Sequence, residues 1–287
     1  KLNKIAEDTD NYLKKFIKRQ NKSDLIAPMQ YGLFSRGKKI RSKILIDIGS
    51  LFTSNYKPLI IIGSAIECIH SYSLIHDDLP CMDNDSIRRG KPSTHIKFGE
   101  ASAVLAGSSL LTLAFEIIAS KKYSINSKMK NELTRSLASC SGHTGIAGGQ
   151  ELDLKFENKK KKLNQIIDMK KKKTGKLFNF CFQSVAIIGN KKNTEKIKLG
   201  KLGEEIGLLF QLADDFLDVK GSKKLVGKPI KKDKKKGKST LINYMGYENA
   251  LRYADNLKKN ILLKLKKHGK KAEELTSTIE FILERKF

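Results

Sequence analysis

The sequence predicts an all-α protein folded as a single helical domain over residues 1–287. Three observations carry that reading. Apolar residues recur at helical spacing, period-2 alternation is hard to find, and proline is scarce, at five residues. Taken in order, Leu2, Ile5, Leu13, Phe16 and Ile17 fall on helical spacing. Leu59 to His76 reads as one strongly apolar helix with Pro58 near its start. Ala101 to Ala119 reads as a second buried helix, in which Gly107 and Ser108 permit close packing. Leu177 to Ile188, Leu199 to Val219, Leu241 to Leu265 and Ala272 to Leu283 complete the set, and Asn158–Leu163 and Gly221–Ser239 read as loops. No repeat of fixed period and no linker interrupts this series, which favours one domain built by helix packing.

Composition excludes several classes. Hydrophobic residues make up 39% of the chain, enough to offset the ordering entropy that keeps polar chains disordered. The four cysteines, Cys68, Cys81, Cys140 and Cys181, are scattered, against a disulfide scaffold or a thiolate zinc site. The longest uncharged stretch, Ala101 to Phe115, is too short and too rich in small residues to span a bilayer. The first twenty residues are charged and lack the apolar core of a secretory signal. The expectation is a soluble cytoplasmic protein without stable membrane insertion. The chain begins at Lys1 rather than Met, so a few residues are expected to precede it.

The net charge of +27 first suggests a nucleic-acid partner. Eight of the 57 basic residues are arginine, so lysine outnumbers the better phosphate and base reader about sixfold. The lysines also sit in runs, such as Lys159–Lys162 and Lys170–Lys173, without interleaved recognition motifs. These read as solvated faces, and no nucleic-acid partner is expected. A field of this sign still attracts small anions such as a diphosphate.

The informative residues are acidic. Asp77-Asp78-Leu79-Pro80-Cys81-Met82-Asp83 ends the first apolar helix, and Asp214-Asp215-Phe216-Leu217-Asp218 lies inside another. Asp214 and Asp218 share a helix face with their carboxylates about 6 Å apart. Like charges so placed are unfavourable unless a cation sits between them, and oxygen-only ligands suit Mg²⁺ completed by water and phosphate. Asp77 and Asp83 are six residues apart, about 240° on a straight helix. Pro80 disfavours a regular helix there, so the chain can turn and return Asp83 toward Asp77. One such cluster is compatible with a solvated helix end, but two clusters that both follow apolar helices are not readily explained that way.

These residues carry a resemblance. His76 to Asp83 followed by Arg88-Arg89-Gly90-Lys91-Pro92 resembles the first aspartate-rich motif of the trans-prenyl diphosphate synthases, and Gln211 to Asp218 resembles their second. Gly37-Lys38-Lys39-Ile40-Arg41, Lys173-Thr174 and Gly237-Lys238-Ser239-Thr240 match in the expected order. The two-residue insertion between the first aspartates is similar to the bacterial farnesyl diphosphate synthase type. One departure is Arg36-Gly37, where the family commonly has Gly-Gly.

The resemblance implies the isoprenoid synthase fold, a helical bundle around a deep central cavity, usually a homodimer. It implies head-to-tail condensation of isopentenyl diphosphate with dimethylallyl and then geranyl diphosphate to give farnesyl diphosphate. It implies three Mg²⁺ ions, two at Asp77 and Asp83 and one at Asp214 with Asp218 in support; Asp78 and Asp215 are not assigned as ligands. Arg88 matches the grip on the allylic diphosphate. Arg89, Lys38, Arg41 and His70 match the isopentenyl diphosphate site, and His70 lies two helical turns before Asp77 on the same face. Lys173, Thr174, Gln211, Lys228 and Lys238 match the remaining allylic positions, where hydroxyl and carbonyl dipoles can stabilise a carbocation. His76 and Gly148-Gly149-Gln150 read as structural. Tyr72 and Ser73 precede Asp77 by five and four residues, where a bulky ring would limit product length. The released diphosphate can accept the final proton, so no separate base is required. A synthase of geranyl or geranylgeranyl diphosphate is the nearest alternative. A non-catalytic subunit, with eroded aspartates, and a nucleic-acid-binding protein are the more distant ones.

Overall fold

A computed structural model describes residues 2–35, 37–52, 55–121, 125–225 and 240–284, with only the backbone for 220–225, 283 and 284. Among them the chain is helical apart from one two-stranded hairpin. Contacts gather it into two compact units, one of residues 1–138 with 184–191 and one of 139–183 with 192–287.

The first unit contains α1 (Leu2–Ile17), α2 (Ile26–Leu33), α3 (Ile40–Phe52), α4 (Tyr56–Asp77), α5 (Thr94–Phe98) and α6 (Glu100–Ala119). α4 is its axis and packs against α1, α2, α3 and α6. Its isoleucine-rich run from Leu59 to Ile69 is buried without a break. A helix that is apolar all round belongs in a core rather than on a surface. Pro58 is its third residue, where a missing N–H removes no intrahelical bond.

α6 departs from expectation. It was predicted to be buried, yet Val104 and Leu105 are 41% and 53% exposed. Its composition is apolar on both faces, but the unit covers only the face carrying Ala103, Ala106, Leu110, Leu113 and Ile117. The helix also runs past Phe115 through Glu116 to twenty residues. By length and hydropathy alone α4 and α6 could each cross a membrane; the apolar window of α4 is 78% buried and that of α6 is 44% buried.

The hairpin pairs β1 (Ile87–Arg88) with β2 (Lys91–Pro92). It was not predicted. Its two turn residues, Arg89 and Gly90, both have positive φ, 53° and 75°. That is the primed turn which matches strand twist, usually signalled by Asn-Gly, so an arginine at the first position conceals it from sequence reading.

The second unit carries α7 (Ser127–Ser141) from its end onward, then α8 (Ile146–Phe156), α9 (Leu163–Lys170), a π-turn (Lys171–Gly175), most of α10 (Lys176–Ile188) and α11 (Asn193–Leu225). Then follow α12 (Leu241–Met245), α13 (Tyr247–Lys266), a 3₁₀ turn (Gly269–Ala272) and α14 (Glu273–Glu284). Phe178, Phe180 and Phe182 of α10 are fully buried. Lys176 and Asn179 both reach Glu204 of α11, at 2.7 and 2.9 Å.

Several boundaries differ from the sequence reading, and α11 begins at Asn193 rather than Leu199. α11 continues through Gly221 to Leu225, so the expected loop begins later than Gly221, and its remainder lies outside the described residues. The predicted helix 241–265 is two helices, because Gly246 adopts φ 80° between them. The last helix starts at Glu273 after the 3₁₀ turn, one residue beyond the predicted Ala272.

Gly149 of α8 sits directly on the π-turn. A side-chain carbon there would collide with the backbone nitrogen and Cα of Lys173, which cannot swing aside. Gly149→Ala should therefore lower the unfolding free energy by about 1–3 kcal/mol, the usual cost of overpacking. An unchanged urea midpoint would mean that α8 retreats at no cost.

Candidate active site

In the first unit the chain leaves α4 through a compact turn. The amides of Leu79 and Asn84 donate to the carbonyls of His76 and Leu79, at 3.1 and 3.0 Å. The Asp83 amide donates to the Asp77 carbonyl at 2.8 Å. The turn expected at Pro80 is thus present, and it returns Asp83 to Asp77. Adjacent Asp78 goes another way. It is buried, and its carboxylate accepts from Arg88 Nε at 3.0 and 3.2 Å and from Arg88 Nη2. Asp85 adds a second carboxylate 3.6 Å from the same guanidinium. Burial pushes the Asp78 pKa up, while Arg88 pulls against that shift. Burial likewise opposes the Arg88 charge, but Asp78 more than offsets it and the Arg88 pKa rises. Arg88, matched by resemblance to a substrate phosphate, is therefore also the partner that holds Asp78 in place.

Two turns back along α4 lies a cationic group. Arg41 Nη1 is 3.1 Å from His70 Nε2, and because a guanidinium only donates, that nitrogen accepts. His70 is held well below its ordinary pKa, first by burial and then by Arg41, Arg89, Lys39 and Arg88. A neutral imidazole in such positive surroundings leaves the net charge to the arginines. Arg89 lies across Gly37, where any side chain would strike its guanidinium, and it donates to the carbonyl and hydroxyl of Ser35 at 3.3 and 3.2 Å. Burial lowers the Arg89 pKa, and Arg41 and Arg88 lower it further against the opposing pull of Glu67. Lys38 is exposed beside Gly37. The predicted isopentenyl diphosphate residues Lys38, Arg41, His70 and Arg89 are all in this unit, and crowded cations of this kind suit a dense anion.

Tyr72 is half-buried, its ring edge-on to His76 with centroids 5.1 Å apart. Burial and the Asp77 carboxylate both raise its pKa. The Ser73 hydroxyl donates to the His70 carbonyl at 2.9 Å. His76 Nε2 lies 3.0 Å from the Val104 carbonyl, and Gly107 provides the room that the imidazole occupies.

In the second unit the same division of labour recurs. Asp215 is buried; its Oδ2 lies 3.3 Å from Lys170 Nζ, and its Oδ1 accepts from Gln211 Nε2 at 2.8 Å. Gln211 Oε1 accepts from the Thr174 hydroxyl at 2.9 Å. With its proton directed to Gln211, Thr174 Oγ1 keeps lone pairs that can face a cation. Lys173 Nζ pairs with Asp153 Oδ2 at 2.6 Å. Asp214 is half-buried and Asp218 exposed, one helical turn apart. Lys228 and Lys238 lie outside the described residues.

Sequence reading missed the partners: Arg88 for Asp78, Lys170 for Asp215 and Asp153 for Lys173. One signal was available. Adjacent helical residues are rotated by about 100°, so Asp78 and Asp215 do not share the face of Asp77 or Asp214. Gln150 was also missed as a candidate. It is 8% exposed, and among the described residues its amide nitrogen and oxygen have no hydrogen-bond partner.

No group of three or more His, Cys, Asp or Glu side chains among the described residues forms a closed metal cage. Mg²⁺ is commonly held by one or two carboxylates and completed by water and substrate phosphate. The Asp77–Asp83 turn and the Asp214–Asp218 face each supply such a pair.

Residues 22–280 match the family model described as polyprenyl synthetase. The chain belongs to the polyprenyl synthetase family. Among related members of this family, the farnesyl diphosphate synthase of Escherichia coli is 37% identical over 266 residues, 91% of this chain and 89% of that protein. The geranylgeranyl diphosphate synthase of Cyanophora paradoxa is 34% identical over 282 residues, 98% of this chain and 93% of that protein. The apo structure of an FPP/GFPP synthase from Zymomonas mobilis superposes with a TM-score of 0.87 at 35% identity, covering 98% of this chain and 97% of that one. A geranyltransferase from Helicobacter pylori, solved with magnesium and isoprenyl diphosphate, gives a TM-score of 0.79 at 28% identity, covering 99% and 96%. The polyprenyl synthetase chain therefore has the all-α isoprenoid synthase fold expected from its sequence.

The depressed pKa of His70 has a measurable consequence. A buried imidazole that resists protonation contributes its full stability above the unfolded-state value of 6.5, and that contribution is lost as pH falls below it toward the folded-state pKa. His70→Asn should therefore lose less unfolding free energy than wild type between about pH 7 and pH 5. Parallel slopes would mean that His70 takes up its proton alike in the folded and the unfolded chain.

Proposed function

We propose that this polyprenyl synthetase is a farnesyl diphosphate synthase that adds isopentenyl diphosphate first to dimethylallyl and then to geranyl diphosphate. One observation carries the two-substrate reading. Along α4 and its exit turn, a carboxylate pair suited to metal-bridged phosphate stands close in sequence to a cationic group suited to direct phosphate binding. A condensation of two diphosphates needs both kinds of grip and needs them to differ.

Asp77, Asp83, Asp214 and Asp218 are assigned to three Mg²⁺ ions, which supply the positive charge that neutralises the departing allylic diphosphate. Arg88 and Lys173 orient that diphosphate, and we assign Lys228 and Lys238 to it as well. Lys38, Arg41 and Arg89 hold isopentenyl diphosphate, while neutral His70 fixes the Arg41 fork. As the allylic C–O bond breaks, Thr174 Oγ1 and the Gln211 carbonyl oxygen present electron density to the carbocation without adding to it. The homoallylic double bond attacks, the new C–C bond forms, and the departing diphosphate takes the proton that is lost.

The uncovered apolar face of α6, with Val104 and Leu105 exposed, is assigned to a second copy of the chain, which gives a homodimer. The working location is the cytoplasm, with no nucleic-acid partner and no membrane insertion. A longer product is the second reading, favoured by the likeness to the Cyanophora geranylgeranyl diphosphate synthase, and Tyr72 decides between them.

Asp77→Ala and Asp214→Ala should each lower kcat by about a thousandfold or more with helical circular dichroism retained, because each removes a metal ligand. Near-normal turnover at saturating Mg²⁺ would overturn the metal assignment.

Tyr72 stands about 6–8 Å below Asp77 along the helix axis. A growing chain anchored at Asp77 lengthens by about 4–5 Å per five-carbon unit, so one ring can separate successive products. Tyr72→Ala, given geranyl and isopentenyl diphosphates, should make products of twenty carbons or more. A folded, active variant that still stops at fifteen carbons would show that Tyr72 is not the floor.

A further inference from the structure

Lys39 and Lys170 are buried lysines of this surface-charged chain. Lys170 belongs to the Asp215 network. Lys39 belongs to none of the groups assigned so far, and its surroundings are specific. Its side chain is 4% exposed, and Nζ donates to the Leu33 carbonyl at the end of α2 at 3.0 Å. The same nitrogen lies 3.4 Å from Asp10 Oδ1 of α1 and 3.9 Å from Glu67 Oε2 of α4. Its backbone is left-handed, with φ 46°, a conformation that a non-glycine residue keeps when its surroundings impose it.

Glu67 is as buried as Lys39, with 4% of its side chain exposed. Its Oε1 accepts from the Ser42 hydroxyl at 3.1 Å, and that hydroxyl also lies 3.3 Å from the Gly63 carbonyl. Lys39 and Glu67 together therefore join α1, the end of α2, the start of α3 and the middle of α4. Their sequence positions matter. Lys39 lies between Lys38 and Arg41, and Glu67 stands one helical turn before His70. A single buried ion pair thus fixes both sides of the Arg41–His70 contact. The Glu67 charge also opposes the lowering of the Arg89 pKa.

We propose that Lys39 and Glu67 are the positioning pair of the isopentenyl diphosphate site: touching no substrate, they hold the Gly37–Arg41 turn against α4 and so set where Lys38, Arg41 and Arg89 present their charge to phosphate. The proposal rests on the assignment of that site above. Without Lys39, a buried Glu67 carboxylate would draw on Arg41 and Arg89, the cations meant for substrate.

The test uses the full-length enzyme with isopentenyl and geranyl diphosphates, comparing Lys39→Met, Glu67→Gln, the double variant and Lys39→Arg. Lys39→Met should raise KM for isopentenyl diphosphate about tenfold or more, with KM for geranyl diphosphate within about twofold of wild type. Glu67→Gln, which keeps shape and the Ser42 contact, should move the same constant in the same direction. The double variant should be no worse than the worse single, since the two act as one unit. Lys39→Arg should restore most of the affinity. Unchanged constants, or an equal rise for both substrates that tracks the loss of thermal stability, would reduce the pair to a structural role and overturn the proposal. If Lys39→Met does not fold, Glu67→Gln decides by the same criteria. A wild-type enzyme that fails to consume isopentenyl diphosphate would overturn the functional reading itself, a result separable from a normal wild type with unaffected variants.

Discussion

The pairing of Asp78 with Arg88 sets the terms for the rest of the site. A carboxylate buried at the end of an apolar helix is costly unless a cation accompanies it. The hairpin supplies that cation, and in doing so it fixes its own register against α4. The turn that follows α4 then has one anchored aspartate and two flanking ones, Asp77 and Asp83, drawn together through the backbone. The second unit reaches the same end with other parts. Lys170 and Gln211 engage Asp215, and the residues on either side, Asp214 and Asp218, keep the one-turn spacing. In each cluster the middle aspartate is the one paired with a cation from another segment, Arg88 or Lys170.

Much of this was legible in the sequence. The α4 core helix, the turn at Pro80 and the shared face of Asp214 and Asp218 follow from apolar runs, proline sterics and helical periodicity, which are local. The partners of Asp78 and Asp215 were not legible, because pairing depends on segments brought together from afar. Lys170 is one of four consecutive lysines, and nothing local marks it as the buried one. The hairpin was concealed by an arginine at a left-handed turn position. The helix over 241–265 looked continuous because its hydrophobic pattern runs through Gly246, and only the glycine's positive φ separates the two pieces.

α6 shows a different limit. Its composition states that the helix avoids water on every side, but composition does not say what covers each side. Within its own unit the helix covers one face, and Val104 and Leu105 remain on the other. Hydrophobic periodicity reads burial in the finished assembly, whereas a single chain reports only its own share of it.

The π-turn over Lys171–Gly175 gives the lysine run a property that its charge does not suggest. A π-turn carries one residue more than an α-turn, so the helix before it and the helix after it differ in phase by about 100° from a continuous α-helix. Removing one residue from the run would let the helix close up as α with α10 still in phase, because the π-turn takes up that extra residue locally. Exchanging the half-buried Lys171 or Lys172 leaves that phase alone. The one residue more that this stretch carries is thus contained at the turn, beside Thr174, and is not passed on to α10.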